Sequence, residues 1–341
     1  MNLDALNKVA VAMTANGKGI LAADESTSTI QKRFDDIKVE NTEDNRRDYR
    51  ELMFRTDEAM KKYISGVILF DETIRQKAKD GTPLTKIIEQ MGAIPGIKVD
   101  AGVKPLHLCP GEVITEGLDN LSKRLEDYYK LGARFAKWRA VIDIGNEMPS
   151  YTCVSANAHA LARYAALCQH NQIVPIVEPE ILMDGGHDIA TCERVTEWVL
   201  KTVFEQLYYN RVKLEGIVLK PNMVISGKKS PKQASVEEVA ERTIKVLKAC
   251  VPGAVPGIAF LSGGQSDADA TAHLDAMNKL GPLPWNLTFS YGRALQAAPQ
   301  KAWAGKTENV AKAQAAFTHR AKMNYLAARG EWGAQMEKAA A

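Results

Sequence analysis

The sequence predicts an α/β fold, a single-domain (β/α)8 or TIM barrel, from three observations. Eight short apolar runs recur along the chain, amphipathic segments separate them, and the runs close on polar or glycine-bearing tails. The runs are 19–25 (GILAADE), 66–72 (GVILFDE), 96–100 (GIKVD), 134–140 (RFAKWRA), 173–180 (IVPIVEPE), 216–222 (GIVLKPN), 257–264 (GIAFLSGG) and 286–292 (NLTFSYG), roughly 30 to 47 residues apart. Mostly continuous apolar character is the pattern of a strand buried on both faces. Strands alternating with helices pair in parallel through right-handed crossovers, and eight such units close a barrel. An open doubly wound sheet is the alternative; eight strands without a break in pattern favour closure. Joints such as 282–284 are short, so the chain reads as one domain over 1–341, with the segment from about 331 to 341 expected to be mobile.

The intervening segments carry helix signals. In 235–251, Ser235 and Glu238 form the spacing of a capping box, and Val236, Val239, Ala240, Val246, Leu247 and Cys250 fall on one helical stripe. Asp188 is placed to cap the segment carrying Val195, Trp198, Val199, Val203 and Leu207. Gly132 follows 118–131 where a left-handed C-terminal cap belongs.

Composition narrows the function. A hydrophobic share of 45% and a charged share of 25% over 341 residues are those of a globular chain with a sizeable core. A net charge of +3, from 44 basic and 41 acidic residues, excludes a protein that coats polyanions and gives no reason to expect nucleic acid as partner. The N-terminus has no long apolar run and carries Asp4, so neither a signal peptide nor a membrane helix is expected. Five scattered cysteines without a C-x-x-C pair read as reduced thiols in a cytoplasmic protein. Six scattered histidines offer no metal-ligand spacing, so neither metal nor cofactor is expected.

In barrels the strand C-termini form the active face. There the sequence places Asp24, Glu25, Lys98, Asp100, Lys137, Arg139, Glu178, Glu180, Lys220, Ser262 and Ser290. Period-two alternation puts Lys137 with Arg139, and Glu178 with Glu180, on shared faces. Lys220, embedded in VLKPN, is a candidate Schiff-base nucleophile: desolvation and a neighbouring cation such as Lys137 would lower its pKa to roughly 7 or 8. A structural ion pair with Glu178 or Glu180 is the competing reading. Two neighbouring carboxylates, Glu178 and Glu180, are expected to have their pKa values pushed apart, leaving one acid and one base. Consecutive glycines in Ser262-Gly263-Gly264-Gln265, ahead of a helix, suit a phosphate, as does Ser290-Tyr291-Gly292-Arg293 after the last strand. LSGGQ also occurs in ABC transporter ATPases, but no P-loop accompanies it here. Gly17-Lys18-Gly19 lacks the third glycine of a dinucleotide fingerprint and reads as a turn. The basic loop Gly227-Lys228-Lys229 either steers an anionic substrate or is solvated surface.

Taken together, GKGILAADES, EDNRR, GVILFDET, GIKVD, FAKWR, VPIVEPEIL, LEGIVLKPNM, FLSGGQS and LTFSYGRALQ resemble class I fructose-1,6-bisphosphate aldolase, in order and over nearly the whole chain. The resemblance implies a metal-free (β/α)8 enzyme of glycolysis and gluconeogenesis that cleaves fructose 1,6-bisphosphate to dihydroxyacetone phosphate and glyceraldehyde 3-phosphate. It implies Lys220 as the Schiff-base lysine, Glu178 as acid/base with Glu180 beside it, Asp24 as the base for the C4 hydroxyl, and Lys137 as the cation that stabilises the carbinolamine and helps keep Lys220 neutral. It assigns Ser262, Gly263, Gly264, Ser290, Gly292 and Arg293 to the C1 phosphate, and Ser26, Arg33, Lys98 and, by the same pattern, Arg139 to the remainder of the substrate, the first three at the C6 end. It also implies a cytoplasmic homo-oligomer, a homotetramer in well-known relatives.

The chain departs from the family pattern twice. Ser26-Thr27-Ser28-Thr29 stands where Ser-Thr-Gly-Ser is usual, and the C-terminus lacks the terminal tyrosine of animal relatives. Alternative functions are a Schiff-base aldolase acting on fructose 1-phosphate, a metal-dependent aldolase, and a non-catalytic scaffold.

Overall fold

The computed structural model describes residues 1–15 and 17–340. Its sheet is a closed barrel of eight parallel strands: β1 (Gly19–Ala23), β2 (Ile64–Leu69), β3 (Ile94–Lys98), β6 (Phe135–Ile142), β7 (Val174–Ile181), β8 (Val218–Leu219), β9 (Gly257–Phe260) and β10 (Asn286–Tyr291), with β10 returning to β1. All eight expected strands are present and the open-sheet alternative is excluded. Two strands were not anticipated, β4 (Val103–Pro105) and β5 (Val113–Thr115), an antiparallel hairpin outside the barrel.

Two strand ends differ from expectation for backbone reasons, and one helix cap differs in its side-chain partner. β8 stops at Leu219 because Pro221 has no N–H to continue the ladder. Lys220 still donates its own N–H to the Val177 carbonyl at 2.8 Å, so it stays aligned with β7. β9 stops at Phe260, three residues before Gly263 takes the left-handed conformation with φ +58. The capping box is half-formed: the Glu238 N–H donates to Ser235 Oγ at 3.2 Å, but the Glu238 carboxylate turns to Arg242 at 2.9 Å. The other two caps are as expected, with Asp188 accepting from the Thr191 N–H at 2.8 Å and Gly132 at φ +106 behind helix Leu121–Lys130.

The core has two parts. The larger lies between the strands and the surrounding helices. The smaller fills the barrel floor: Ile20, Ile68, Phe135, Val174, Ile176, Val218 and Ala259 meet Leu6, Ala10 and Met13 of helix Leu3–Thr14, which plugs that end. Burying each large apolar side chain there contributes about 1.5–3 kcal/mol relative to exposure. Room for Phe135 comes from Gly96, where a Cβ would stand 2.2 Å from the ring.

Alternation then dictates what lies above the floor. Residues two along from floor residues on the same strands point into the same interior, nearer the strand C-termini. Ile20 and Ala22 are followed by Asp24, Phe135 by Lys137 and Arg139, Val174 and Ile176 by Glu178 and Glu180, and Val218 by Lys220. One strand face is therefore oily at one end and charged at the other. The segment after Gly330 packs on the barrel's outside, where Arg320 donates to Glu337 at 2.5 Å and the Trp332 N–H to Asp275 at 2.9 Å; Ala341 lies outside the described residues.

Candidate active site

Fourteen of the fifteen expected site residues line one cavity of about 230 Å³ at the strand C-termini; Gly264 is the exception. Its N–H is turned away to donate to Met183 Sδ at 3.0 Å, and it lines a neighbouring cavity. Ala22, Glu25, Thr29 and Leu261 also contribute to the wall. Arg33, Lys98, Lys137, Arg139, Lys220 and Arg293 are six cations against the four carboxylates Asp24, Glu25, Glu178 and Glu180, a formal excess of two positive charges. Such an excess favours a multiply anionic ligand.

At the base of the cavity four buried charged groups alternate in sign. Asp24 Oδ2 is 2.8 Å from Lys137 Nζ, Lys137 Nζ is 3.5 Å from Glu178 Oε2, and Glu178 Oε1 is 3.2 Å from Lys220 Nζ. Lys137, Glu178 and Lys220 are each no more than 5% exposed. Charges this deep are tolerated because each has an opposite neighbour. Burial by itself pushes the Asp24 and Glu178 carboxyls up, but the lysines outweigh it. Lys137, Lys220 and Lys98 hold Asp24 far below the usual carboxylate range, and Lys220, Lys137 and Arg139 hold Glu178 below it. Burial likewise opposes the charge on Lys137, and Asp24, Glu178 and Asp100 overturn that, so Lys137 keeps its proton firmly.

Two expectations change. Glu178 and Glu180 each face cations of their own rather than one another: Lys220 and Lys137 lie against Glu178, and the Arg139 Nε donates to Glu180. The Lys220–Glu178 pair of the structural reading is present, yet it lines an open cavity that a ketone can enter.

The loop after β9 and the start of helix Arg293–Trp303 face the opposite wall. Gly292 precedes that helix, and a Cβ there would stand 3.4 Å from the Ala22 carbonyl and 3.7 Å from Arg33 Nη2. An anion approaching Gly292 therefore meets a helix N-terminus and two guanidinium side chains, Arg33 and Arg293. Ser290 Oγ is buried and finds no hydrogen-bond partner among the described residues, as suits a ligand-binding hydroxyl. Ser290→Ala is accordingly expected to leave stability within about 0.5 kcal/mol while raising KM by about three- to tenfold. Thermal melts and initial rates check it; a large melting loss with unchanged KM contradicts it.

Ser26 caps helix Thr27–Asp36, its Oγ 3.1 Å from Ser28 Oγ and 3.0 Å from Thr29 Oγ1. Thr29, rather than Ser28, reaches the cavity wall. Arg33 is tied to Glu25 at 2.5 Å, and Glu25 also accepts from Gln296 at 2.8 Å and lies 3.9 Å from the buried Arg50. Lys98 sits 3.8 Å from Asp100. Of the EDNRR motif, Arg46 serves structure: it donates to Glu72 of the FDET motif at 2.8 and 2.5 Å. The orienting role of Glu25 was missed, though its signal was present as a second acid directly after Asp24. Among the described residues, no three His, Cys, Asp or Glu side chains cluster as a metal-ligand set, and no helix is long and apolar enough to cross a membrane.

Comparison with known proteins follows the same lines. A family model described as fructose-bisphosphate aldolase class-I matches residues 5–341. A probable fructose-bisphosphate aldolase class 1 of Xanthomonas campestris is 61% identical over 97% of this chain and 99% of its own. The cytosolic fructose-bisphosphate aldolase 5 of Arabidopsis thaliana is 56% identical over 99% of this chain and 94% of its own. The solved structure of Plasmodium falciparum fructose-bisphosphate aldolase, in complex with TRAP and a small-molecule inhibitor, superposes with a TM-score of 0.96 at 49% identity, covering 97% of this chain and 96% of that one.

Proposed function

The chain belongs to the class I fructose-bisphosphate aldolase family, and from that premise we propose that its reaction runs through a Schiff base on Lys220, with Glu178, Lys137 and Asp24 moving or holding charge around it. The reaction itself is the aldol cleavage of fructose 1,6-bisphosphate to dihydroxyacetone phosphate and glyceraldehyde 3-phosphate. The observation that carries the mechanism is the alternating string of buried charges, which places a carboxylate against Lys220, the residue that follows β8 into the cavity.

Glu178 at 3.2 Å takes a proton from Lys220, and the freed nitrogen lone pair attacks the C2 carbonyl; the nitrogen then passes its extra proton to the alkoxide, giving the carbinolamine. Glu178, now protonated, returns its proton to the carbinolamine hydroxyl, which leaves as water and gives the iminium. Lys137 stays charged throughout and stabilises the oxygen as it gains electrons. Asp24, ionised at rest, accepts the C4 hydroxyl proton as the C3–C4 bond breaks; the bonding pair collapses toward the iminium as an enamine. Ser262, Gly263, Ser290, Gly292 and Arg293 hold the C1 phosphate, while Ser26, Thr29 and Lys98 receive the C6 phosphate; Arg33, expected at the C6 end, also stands beside Gly292 within reach of the C1 anion, and Arg139 and Glu180 orient the chain between the two. Two anchors fix the reacting carbons against the lysine, which favours the bisphosphate over fructose 1-phosphate. Gly264, its N–H engaged by Met183 Sδ, supports the loop behind this cradle.

Borohydride reduction in the presence of dihydroxyacetone phosphate, followed by peptide mapping, tests this: one stable adduct, on Lys220, is expected, and an adduct elsewhere overturns it. The pH profile gives a second check. Because the folded protein holds Glu178 below the ordinary carboxylate range, the acid limb of kcat/KM that belongs to it lies below about pH 4.3. A limb near pH 6 that vanishes in Glu178→Gln contradicts the assignment.

We also infer a cytoplasmic homotetramer, supported by family membership and by the cytosolic relative; light scattering that returns the mass of one chain rules out the tetramer. Within the single domain, the segment from 331 onward is taken as the mobile part, with the Arg320–Glu337 contact as its hold; limited proteolysis that spares it counts against this.

A further inference from the structure

The basic loop Gly227-Lys228-Lys229 has no role in the reaction as derived, yet its first lysine reaches the glycine loop after β9. A Cβ on Gly264 would stand 1.9 Å from Lys228 Nζ and 2.3 Å from its Cε, so the absence of a side chain is what admits the ammonium to that backbone. The loop is tied down at three points: Gly227 N–H to the His187 carbonyl at 2.9 Å, Lys228 N–H to the Met183 carbonyl at 2.7 Å, and Lys229 N–H to the Gly185 carbonyl at 3.0 Å. A Cβ on Gly227 would meet the Gly185 carbonyl at 2.3 Å, so only glycine permits this seating. Met183, in turn, accepts the Gly264 N–H through its thioether, a weak acceptor.

Lys228 is not free. Its Nζ lies 2.8 Å from Asp184 Oδ1, with side chains 39% and 62% exposed respectively. An ion pair this wet is worth at most about 1 kcal/mol. A phosphate dianion held at Ser262 and Gly263, just before Gly264, would present twice the charge of one carboxylate.

We propose that Lys228 is a further binding cation for the C1 phosphate, held by Asp184 while the cradle is empty and drawn to the phosphate across Gly264 when it fills. This rests on the reading above of Ser262, Gly263 and Arg293 as that cradle. No covalent step is involved; the exchange is of one ion-pair partner for another. Since fructose 1,6-bisphosphate and fructose 1-phosphate share the C1 phosphate, Lys228 acts on both.

The test is steady-state kinetics with both sugars on the full-length protein. Lys228→Met is expected to raise KM about fivefold for both, with a smaller change in kcat, and Lys228→Arg to restore most of the loss. Asp184→Asn, which releases the lysine, is expected to lower KM about two- to threefold. Opposite signs from two partners of one ion pair are not produced by loss of a merely structural bridge, which both changes would break alike. Arg293→Ala serves as the control on the cradle. If it raises KM while Lys228→Met leaves KM unmoved, or while Asp184→Asn raises it, the role of Lys228 is overturned and the cradle stands. If Arg293→Ala also leaves KM unmoved, the cradle assignment fails and the proposal with it.

Discussion

Lys220→Met is expected to fold and to lose cleavage of fructose 1,6-bisphosphate by a factor on the order of 10⁴ or more, the scale seen when a covalent nucleophile is removed. Methionine preserves the length and apolar body of the lysine stem, so the packing around Val218 and Leu219 is kept. What disappears is the nitrogen that condenses with C2, and no other amine occupies its place: Lys137 Nζ is 2.8 Å from Asp24 and stays protonated, so it has no lone pair to offer. Glu178 keeps Lys137 at 3.5 Å as its remaining cation. Substrate affinity is therefore expected to survive, read as competitive inhibition of the unmodified enzyme or by direct calorimetry. An undiminished rate in the variant ends the Schiff-base mechanism.

Lys137→Met has the second largest effect and acts on stability as well as rate. Lys137 contacts two buried carboxylates at once, Asp24 and Glu178. Removing one partner of a buried ion pair costs about 3–5 kcal/mol, because the remaining charge is stranded. The sign of the pH response follows from the depressed carboxyls. In the native protein their stabilising contribution is full above the ordinary carboxylate pKa and is lost as pH falls through the lower folded values. Without Lys137 the folded values rise, so the penalty is greatest at neutral pH and shrinks toward pH 4, where protonated acids need no cation. Denaturant melts at pH 7 and pH 4.5 measure this: the gap between native and variant proteins should narrow on acidification. A constant gap removes the electrostatic explanation. Cleavage should fall by about 10²- to 10³-fold, the cost of losing one fixed positive charge at a developing oxyanion.

The barrel was legible in the sequence because its strands are buried on both faces and need continuous apolar runs, which stand out against amphipathic helices. The charged strand ends were legible for the complementary reason: Lys220 between Leu219 and Pro221, or Glu178 and Glu180 around Pro179, break an apolar pattern where nothing local excuses it. The hairpin of β4 and β5 was not, since Val103, Lys104 and Pro105 are all exposed and an unburied strand carries no alternation. The plug helix Leu3–Thr14 carries Leu6, Ala10 and Met13 at helical spacing, but its destination inside the barrel depends on tertiary structure alone. The same holds for pairings across the cavity. Sequence placed Lys137, Asp24 and Glu178 at strand ends; which carboxylate each cation would touch, and hence the direction of every pKa shift, required the closed ring. That the Gly264 N–H meets Met183 Sδ was not legible either, because a glycine's chemistry lies in where its N–H points, which a sequence does not record.

Oily floor and charged mouth are written on the same residue parity of the same strands. It follows that insertion or deletion of one residue within β7 or β8 would not merely shift a site by a few ångströms. Such a frame slip would invert the strand, driving Val174 or Val218 outward and burying Glu178 or Lys220 among the helices. Fold and reactivity would then fail together, whereas volume-conserving exchanges among floor residues such as Ile20 and Ile68 should pass unnoticed by the chemistry above them.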